Sequence, residues 1–531
     1  MRTAAVVAWL VGCTSSGSLD LELQLPNNPD LRPQDMTTIT VLAQSPAMDP
    51  IANTAQIDGS HFSAGDLPVG KNIAIDVLLH DVSNRLVGIG EAPTTIDIDA
   101  GAATQLSMPV RRPFVYAASG SQLYSYDPSL NPIVDMKFQG QLQGLSNPAI
   151  AISVGGDQLV VASGSQLQVI ETATNMVKGS PIAINGAVHD VAPVPGASKV
   201  AVAHGGGLAI VDLDSQAVTN VNGPSVDRIT VGPATDGTMT AFGLVGRVTA
   251  PAGPTDMCAG VSSLVTAAID GPPGSVQPMA LSKPVSDIAA NPAAAALFAT
   301  EPCDGKVVKL DGEVSSDVAL LERAAVLTVA GGRIWAAGSH ASSPVCLPGN
   351  TCPPAATAGC SSTTGSSGQI SYVVPGANVL VESIPITGGQ PVTLMVPERR
   401  ETFVNTDDEA DQHAEVLHSL ALEPLDLVAL PGGQYVSLVT TNTYYITELV
   451  DQGTLAVIIP CLLATTGDWL LLDMASSSVA QRVRTQCNLT VGAYDTSTIF
   501  RHWKCDDAPA GQASAFPDYM PVSVGAIFGA R

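Results

Sequence analysis

Charge and aromatic residues are both scarce in this 531-residue chain. Only 13% of positions are Asp, Glu, Lys or Arg, and only 4% are Phe, Trp or Tyr. Without stretches rich in Glu, Lys and Arg there is no material for long amphipathic helices. Bases are the scarcer sign, 23 against 48 acids, and the net charge of −25 repels a phosphate backbone. No nucleic-acid partner is expected. No run of about 18 uninterrupted apolar residues follows the N-terminus, so no membrane-spanning helix is expected. The sequence also lacks a G-x-S-x-G elbow, an HExxH helix, a P-loop, and a GxGxxG placed between a strand and a helix.

What remains is 45% hydrophobic, with 49 Gly and 39 Pro. That is a chain of many short apolar runs broken by turns, and it predicts an all-β protein.

The N-terminus reads MRTAAVVAWLVGCTSSGS. Arg2 precedes a short apolar stretch that leads into Leu10-Val11-Gly12-Cys13, the order of a secretory signal. This resembles the bacterial lipobox, in which the cysteine is lipidated and becomes the new N-terminus. The resemblance implies a lipid anchor at Cys13 and a location at the outer membrane or cell surface. Eight further cysteines, at 258, 303, 346, 352, 360, 461, 487 and 505, are an even number in an exported chain, which predicts disulfides. Cys258 and Cys303 fall on corresponding loops of adjacent repeats. The two remaining groups, Cys346, Cys352 and Cys360 and then Cys461, Cys487 and Cys505, are odd in number and imply one crosslink between them.

Residues 19–110 read as a separate block. LDLELQL, TTITVLA, NIAIDVLLHDV, RLVGIGEA, TTIDIDA and TQLSMPV alternate as strands, which predicts a small antiparallel sandwich acting as spacer or adaptor. The block is similar to the prealbumin-like or immunoglobulin-like sandwiches that follow the anchor in bacterial surface proteins. Arg111-Arg112-Pro113 marks its end.

From Phe114 a repeat takes over. FVYAASGSQLYSYD returns as LVVASGSQLQVIE and as KVAVAHGGGLAIVDLD. Each copy is an apolar run, a small-residue turn, a second apolar run and an acid. Asp127, Glu171, Asp212, Asp270 and Asp311 hold the acidic place, at spacings of 44, 41, 58 and 41. Such periods predict propeller blades, about seven of four strands each over residues 112–490. The repeats resemble the YVTN/NHL type, which serves binding proteins and enzymes alike. The WD dipeptide of one propeller class and the tryptophan repeats of another are missing. In this division residues 1–13 are the signal, 14–18 a tether, and 491–531 a C-terminal segment suited to ring closure and disulfide linkage. DWLLLDMAS and SVGAIFG are the closing candidates.

In a propeller, the loop between the second and third strands shares a face with the loop between blades. This places Ser119, Ser163, His204, Glu301, His340 and Thr441 with His189, Asp190, Asp227 and Asp287. The long insertions around Cys258 and Cys346–Cys360 leave from the same face, so binding is expected there. His189, His204 and His340 are of the type that binds transition metals or moves protons, although they share no ligand spacing within one element and loop histidines are usually just solvated or hydrogen-bonded. Asp190, Asp227, Asp287 and Glu301 are oxygen ligands of the kind calcium takes, but acids at such places more often bond backbone amides between blades. No cofactor is otherwise expected.

Three functions follow from this reading. The first is a monomeric, non-catalytic envelope scaffold for a protein or glycan. The second is a metal-dependent lyase or lactonase working in the axial mouth. The third is an outer-membrane assembly factor presenting a strand edge.

Overall fold

The computed structural model describes most of residues 16–491, with Trp503–Cys505 and Pro521–Ile527. The longest stretches outside the described residues are 1–15, 130–148, 249–259, 347–371, 406–412, 492–502 and 506–520. The chain is all-β. A three-residue 3-10 turn at Pro29–Leu31 is the only helical element among the described residues.

The first eight strands are β1 (Gly17–Gln24), β2 (Thr38–Ser45), β3 (Met48–Gln56), β4 (His61–Leu67), β5 (Gly70–His80), β6 (Leu86–Glu91), β7 (Ile96–Ile98) and β8 (Ala103–Arg111). They run in the order β3-β2-β5-β6-β8-β1-β4, with β7 beside β5. The two halves fold over one core. Leu19, Leu21 and Leu23 of β1 and Met108 and Val110 of β8 face Ile39 and Val41 of β2 and Ile73, Ile75, Val77 and Leu79 of β5. The pairing is not purely antiparallel, because β1 and β8 run parallel. Alternation alone passes over β3 and β4. β3 is an edge strand of mixed polarity that carries Pro50, and β4 buries only Ala64 and Leu67.

Seven blades follow. Blade 2 is Ala149–Ile152, Gln158–Ser163, Gln166–Glu171 and Met176–Ala183. Blade 3 is Val188–Pro193, Lys199–His204, Gly207–Asp212 and Val218–Asn222. Blade 4 is Arg228–Pro233, Met239–Val245, Ser263–Ala268 and Met279–Ala280, and blade 5 is Asp287–Ala290, Leu297–Glu301, Lys306–Asp311 and Val314–Leu320. Blade 6 is Ala324–Ala330, Arg333–His340, Asn378–Pro385 and Val392–Pro397. Blade 7 is Ser419–Ala429, Tyr435–Asp451, Ala456–Asp473 and Ser478–Val491.

Blade 1 is assembled from both ends of the propeller. Phe114–Ser119 and Gln122–Tyr126 receive Pro521–Ile527 as their innermost strand, with Ile527 opposite Phe114. The innermost strands then touch in sequence from Pro521–Ile527 through blades 2 to 7 and back, which closes the ring. Of the two closing candidates, SVGAIFG takes this place. DWLLLDMAS belongs to the third strand of blade 7 instead.

Alternate side chains of each blade pack on its two neighbours. Val160, Val169, Val200 and Val211 fill one such seam, and Trp335, Val381, Leu438 and Leu470 fill the seam between blades 6 and 7. The recurring acid closes the third strand and caps the turn after it. Asp212 Oδ1 accepts from Ser215 N–H and Oγ–H, and Asp127 Oδ1 accepts in the same way from Ser129.

The sandwich docks on the propeller. Leu42, Leu78, Leu86 and Ile89 leave its outer face and join Val115, Leu430, Tyr435, Val439, Trp469 and Leu471 in a second core. Inside that seam His80 Nε2 and the Tyr435 hydroxyl are hydrogen-bonded at 2.8 Å. Arg111 donates to Gly156 O and Thr172 Oγ1 of blade 2, while Arg112 pairs with buried Asp127 of blade 1 and donates to Asp30 O. The two arginines read as a boundary mark are therefore buried clamps between sandwich and ring.

Candidate functional site

The propeller has two unlike faces. The sandwich contacts turns that join first to second strands and third to fourth strands, at Gly156, Thr172, Asp127 and Leu430, and the start of the second strand of blade 7 at Tyr435. The opposite face carries the second-to-third-strand turns and the connections between blades. Backbone bonds tie these two sets together, as in Gly205 N–H to Ala187 O and Val226 N–H to His204 O. The blade 3 turn needs glycine at 207. Its φ is +130°, and a Cβ there would stand 2.3 Å from Val221 O.

The long insertions of blades 4 and 6 and the long connections on either side of blade 7 leave from this free face. Residues 246–262 and 341–377 interrupt blades 4 and 6 between second and third strands. Residues 398–418 and 492–520 flank blade 7, and they meet through a short sheet in which Thr402–Asn405 pairs with Trp503–Cys505. Blade 7 itself grows on this side. Its second and third strands are 17 and 18 residues long, so Thr441, expected in a turn, lies within a strand.

At the axial mouth the chain gathers charge. Asp190, Arg228 and Asp287 sit near the start of the innermost strands of blades 3, 4 and 5, and Asp426 lies within the longer innermost strand of blade 7. Arg228 stands 3.9 Å from Asp190 and 3.8 Å from Asp287. Burial opposes its charge, but Asp287, Asp190, Asp426 and Asp227 together outweigh that and hold its pKa above the ordinary arginine value.

The carboxylates are themselves engaged. Asp190 accepts from Val191 N–H and, across the blade boundary, from Ile229 N–H. Asp287 repeats this with Ile288 and Leu327. Each of these two aspartates thus captures an amide on the inner edge of the next blade, one that no further strand would satisfy. Burial pushes the pKa of Asp190 up to about 6 despite Arg228. Asp227 accepts from Arg247 N–H, and Arg247 Nε donates to Ser286 O. Burial and the neighbouring Arg228 lower the pKa of Arg247.

The remaining predicted residues separate. His189 is exposed, and its Nδ1 bonds Val226 O at 2.7 Å. His204 is buried, its Nδ1 accepts from Gly206 N–H, and burial lowers its pKa. Glu301 ends its strand, buried, with its pKa raised by burial, and takes no part in the charge cluster. His340 ends the second strand of blade 6, but its side chain lies outside the described residues, as do those of Cys346, Cys461, Cys487 and Cys505. Cys13, Cys258, Cys352 and Cys360 lie outside them altogether. Among the described residues no three of His, Cys, Asp and Glu gather as a metal-binding group.

The sequence reading missed Arg228, Arg247 and Asp426. A signal was present in the pattern HDVA, SDIA and LDLV, which repeats in innermost strands with aspartate in second place.

The sequence matches no family model and no curated protein. Solved structures to which the chain is similar include hydrazine synthase of Kuenenia stuttgartiensis, at 15% identity, covering 66% of this chain and 99% of that one, with a TM-score of 0.34. The β-propeller domain of Myceliophteria thermophila Cps50 (Swd1) is similar at 12% identity over 66% and 99% of the two chains, with a TM-score of 0.34. The RRP9 WD40 repeats are similar at 11% identity over 50% and 83%, with a TM-score of 0.32. At these scores the class of protein rests on the closed ring of seven blades itself, and nothing about activity is taken from the likeness.

Proposed function

We propose that this chain is a non-catalytic binding scaffold of the cell envelope, tethered through lipidated Cys13, whose loop-rich propeller face receives a protein or glycan partner. The carrying observation is the asymmetry of the ring. One face receives the sandwich at blades 1, 2 and 7, and the long insertions of blades 4 and 6 and the long connections beside blade 7 leave from the other. The axial carboxylates Asp190 and Asp287 spend their oxygens on backbone amides, which suits a scaffold better than a lyase or lactonase centre. Cys303 is disulfide-bonded, which supports an oxidising, exported setting.

Photo-crosslinkers at exposed Val261 and His189 on the loop face, and at Met176 on the sandwich side, test the reading in envelope extracts. Saturable adducts from the first two positions only are expected. Adducts from Met176 alone would overturn the assignment of the face. Labelled-lipid incorporation that persists in Cys13→Ser would remove the anchor.

A further inference from the structure

The seam between blades 6 and 7 changes character along its height. Its lower part is apolar: Trp335, Ala337 and Val381 of blade 6 face Val436, Leu438, Leu470 and Leu472 of blade 7. Strand alternation carries the same two faces upward toward the free side of the ring. On blade 7 the next residues are Thr440 opposite Asp468 and Asn442 opposite Thr466, one patch on adjoining strands. On blade 6 the residue two beyond Ala337 is Ser339. Ser339 is 3% exposed, and the other four are 0% exposed.

Ser339 Oγ, Thr440 Oγ1, Thr466 Oγ1 and both polar atoms of Asn442 are buried without a hydrogen-bond partner. Asp468 has Arg482 Nε 3.3 Å from its Oδ2, and Arg482 also donates to Pro397 O of blade 6. Buried polar groups are nearly always satisfied, and so many unmet in one layer would exceed a domain's margin of stability.

We infer that this layer is a hard-cation site of the calcium class. Ser339, Thr440, Asn442 and Thr466 supply four neutral oxygens, and Asp468, itself engaged with Arg482, adds carboxylate oxygen, with no nitrogen or sulfur ligand among them. Opposed side chains on paired strands stand about 5 Å apart at Cβ, which lets their oxygens converge on one ion. With a single carboxylate, shared with Arg482, the site belongs to the weak class filled at extracellular calcium levels. A bound ion would pin the long blade 7 hairpin to blade 6, beside the insertions of the free face.

The test uses the full soluble chain and the metal alone. Calcium is expected to raise the melting temperature with an apparent Kd of about 10⁻⁴–10⁻³ M. Thr466→Val, of unchanged shape, removes one ligand and one orphaned hydroxyl. It should melt higher than wild type without calcium and bind calcium at least about tenfold more weakly. Terbium should show tryptophan-sensitised emission, since Trp469 directly follows Asp468 and Trp335 lies on the same strand face four residues below Ser339, and calcium should compete that emission away. No calcium-dependent shift at about 10 mM, or a shift that Thr466→Val leaves intact, would overturn the site and leave buried water as the filling of the seam.

Discussion

Two arginines, buried Arg112 on one side of the ring and partly buried Arg228 on the other, make opposite use of the same chemistry. Arg112, on the sandwich side, is hydrogen-bonded to Asp127, donates to Asp30 O, and lies 5.9 Å from the Phe114 ring centre. Arg228, at the axial mouth of the free side, has its carboxylates at 3.8 and 3.9 Å, beyond hydrogen-bond reach. The first is a lock whose geometry is fully specified. The second balances surrounding acids whose own bonds go to the backbone. A seam that must stay shut closes its hydrogen bonds, whereas the mouth of the ring keeps its charges only loosely paired.

That contrast can be broken most forcefully at the lock. Arg112→Ala leaves Asp127 buried and uncompensated, and should cost about 3–5 kcal/mol in denaturant unfolding. A loss below about 1 kcal/mol would show that the clamp is no more than a surface bridge. Leu78→Ala, in the sandwich–propeller seam, should cost about 2–5 kcal/mol. Wild-type stability in this variant would restore the sandwich to the role of a free spacer.

The mouth responds to pH. The pKa of Asp190 is about 6 in the folded chain against 3.8 ordinarily, so the folded state holds a proton that the unfolded state gives up. Its contribution to stability is fullest below about pH 3.8, declines as pH rises to about 6 and is constant above, by up to about 3 kcal/mol in total. Asp190→Asn should abolish that decline. Parallel wild-type and variant curves across this window would contradict the assignment. The smallest effect belongs to Lys199, which meets Asp270 at 2.7 Å on the surface. Lys199→Ala should cost under about 1 kcal/mol in thermal melts and less in high salt.

Much of the ring was readable in the letters. Two apolar runs around a small turn are the second and third strands of a blade, and the acid after them caps the next turn, as Asp127 and Asp212 do. The docking seam was not readable. Leu78 and His80 alternate with Ile75, Val77 and Leu79 along β5, and alternation alone assigns them to solvent. Only the approach of Tyr435, some 355 residues away, buries His80. Burial then lowers the pKa of His80 against the pull of Asp473 and Asp81, and raises that of Tyr435 above its usual range. The axial cluster was half readable. Asp190, Asp227 and Asp287 stood out as acids at blade junctions, but Arg228, from another blade, is what makes them a cluster.

The sequence by itself determined the local matters: strand after strand, the turn chemistry and the repeat length, because these depend on residues within one or two turns of each other. Tertiary structure decided the rest. Ring closure by Pro521–Ile527, the lock at Arg112, the company around Arg228 and the oxygen layer between blades 6 and 7 each join residues far apart in the chain. Which distant side chains meet is set by how the blades pack, and no local pattern encodes that.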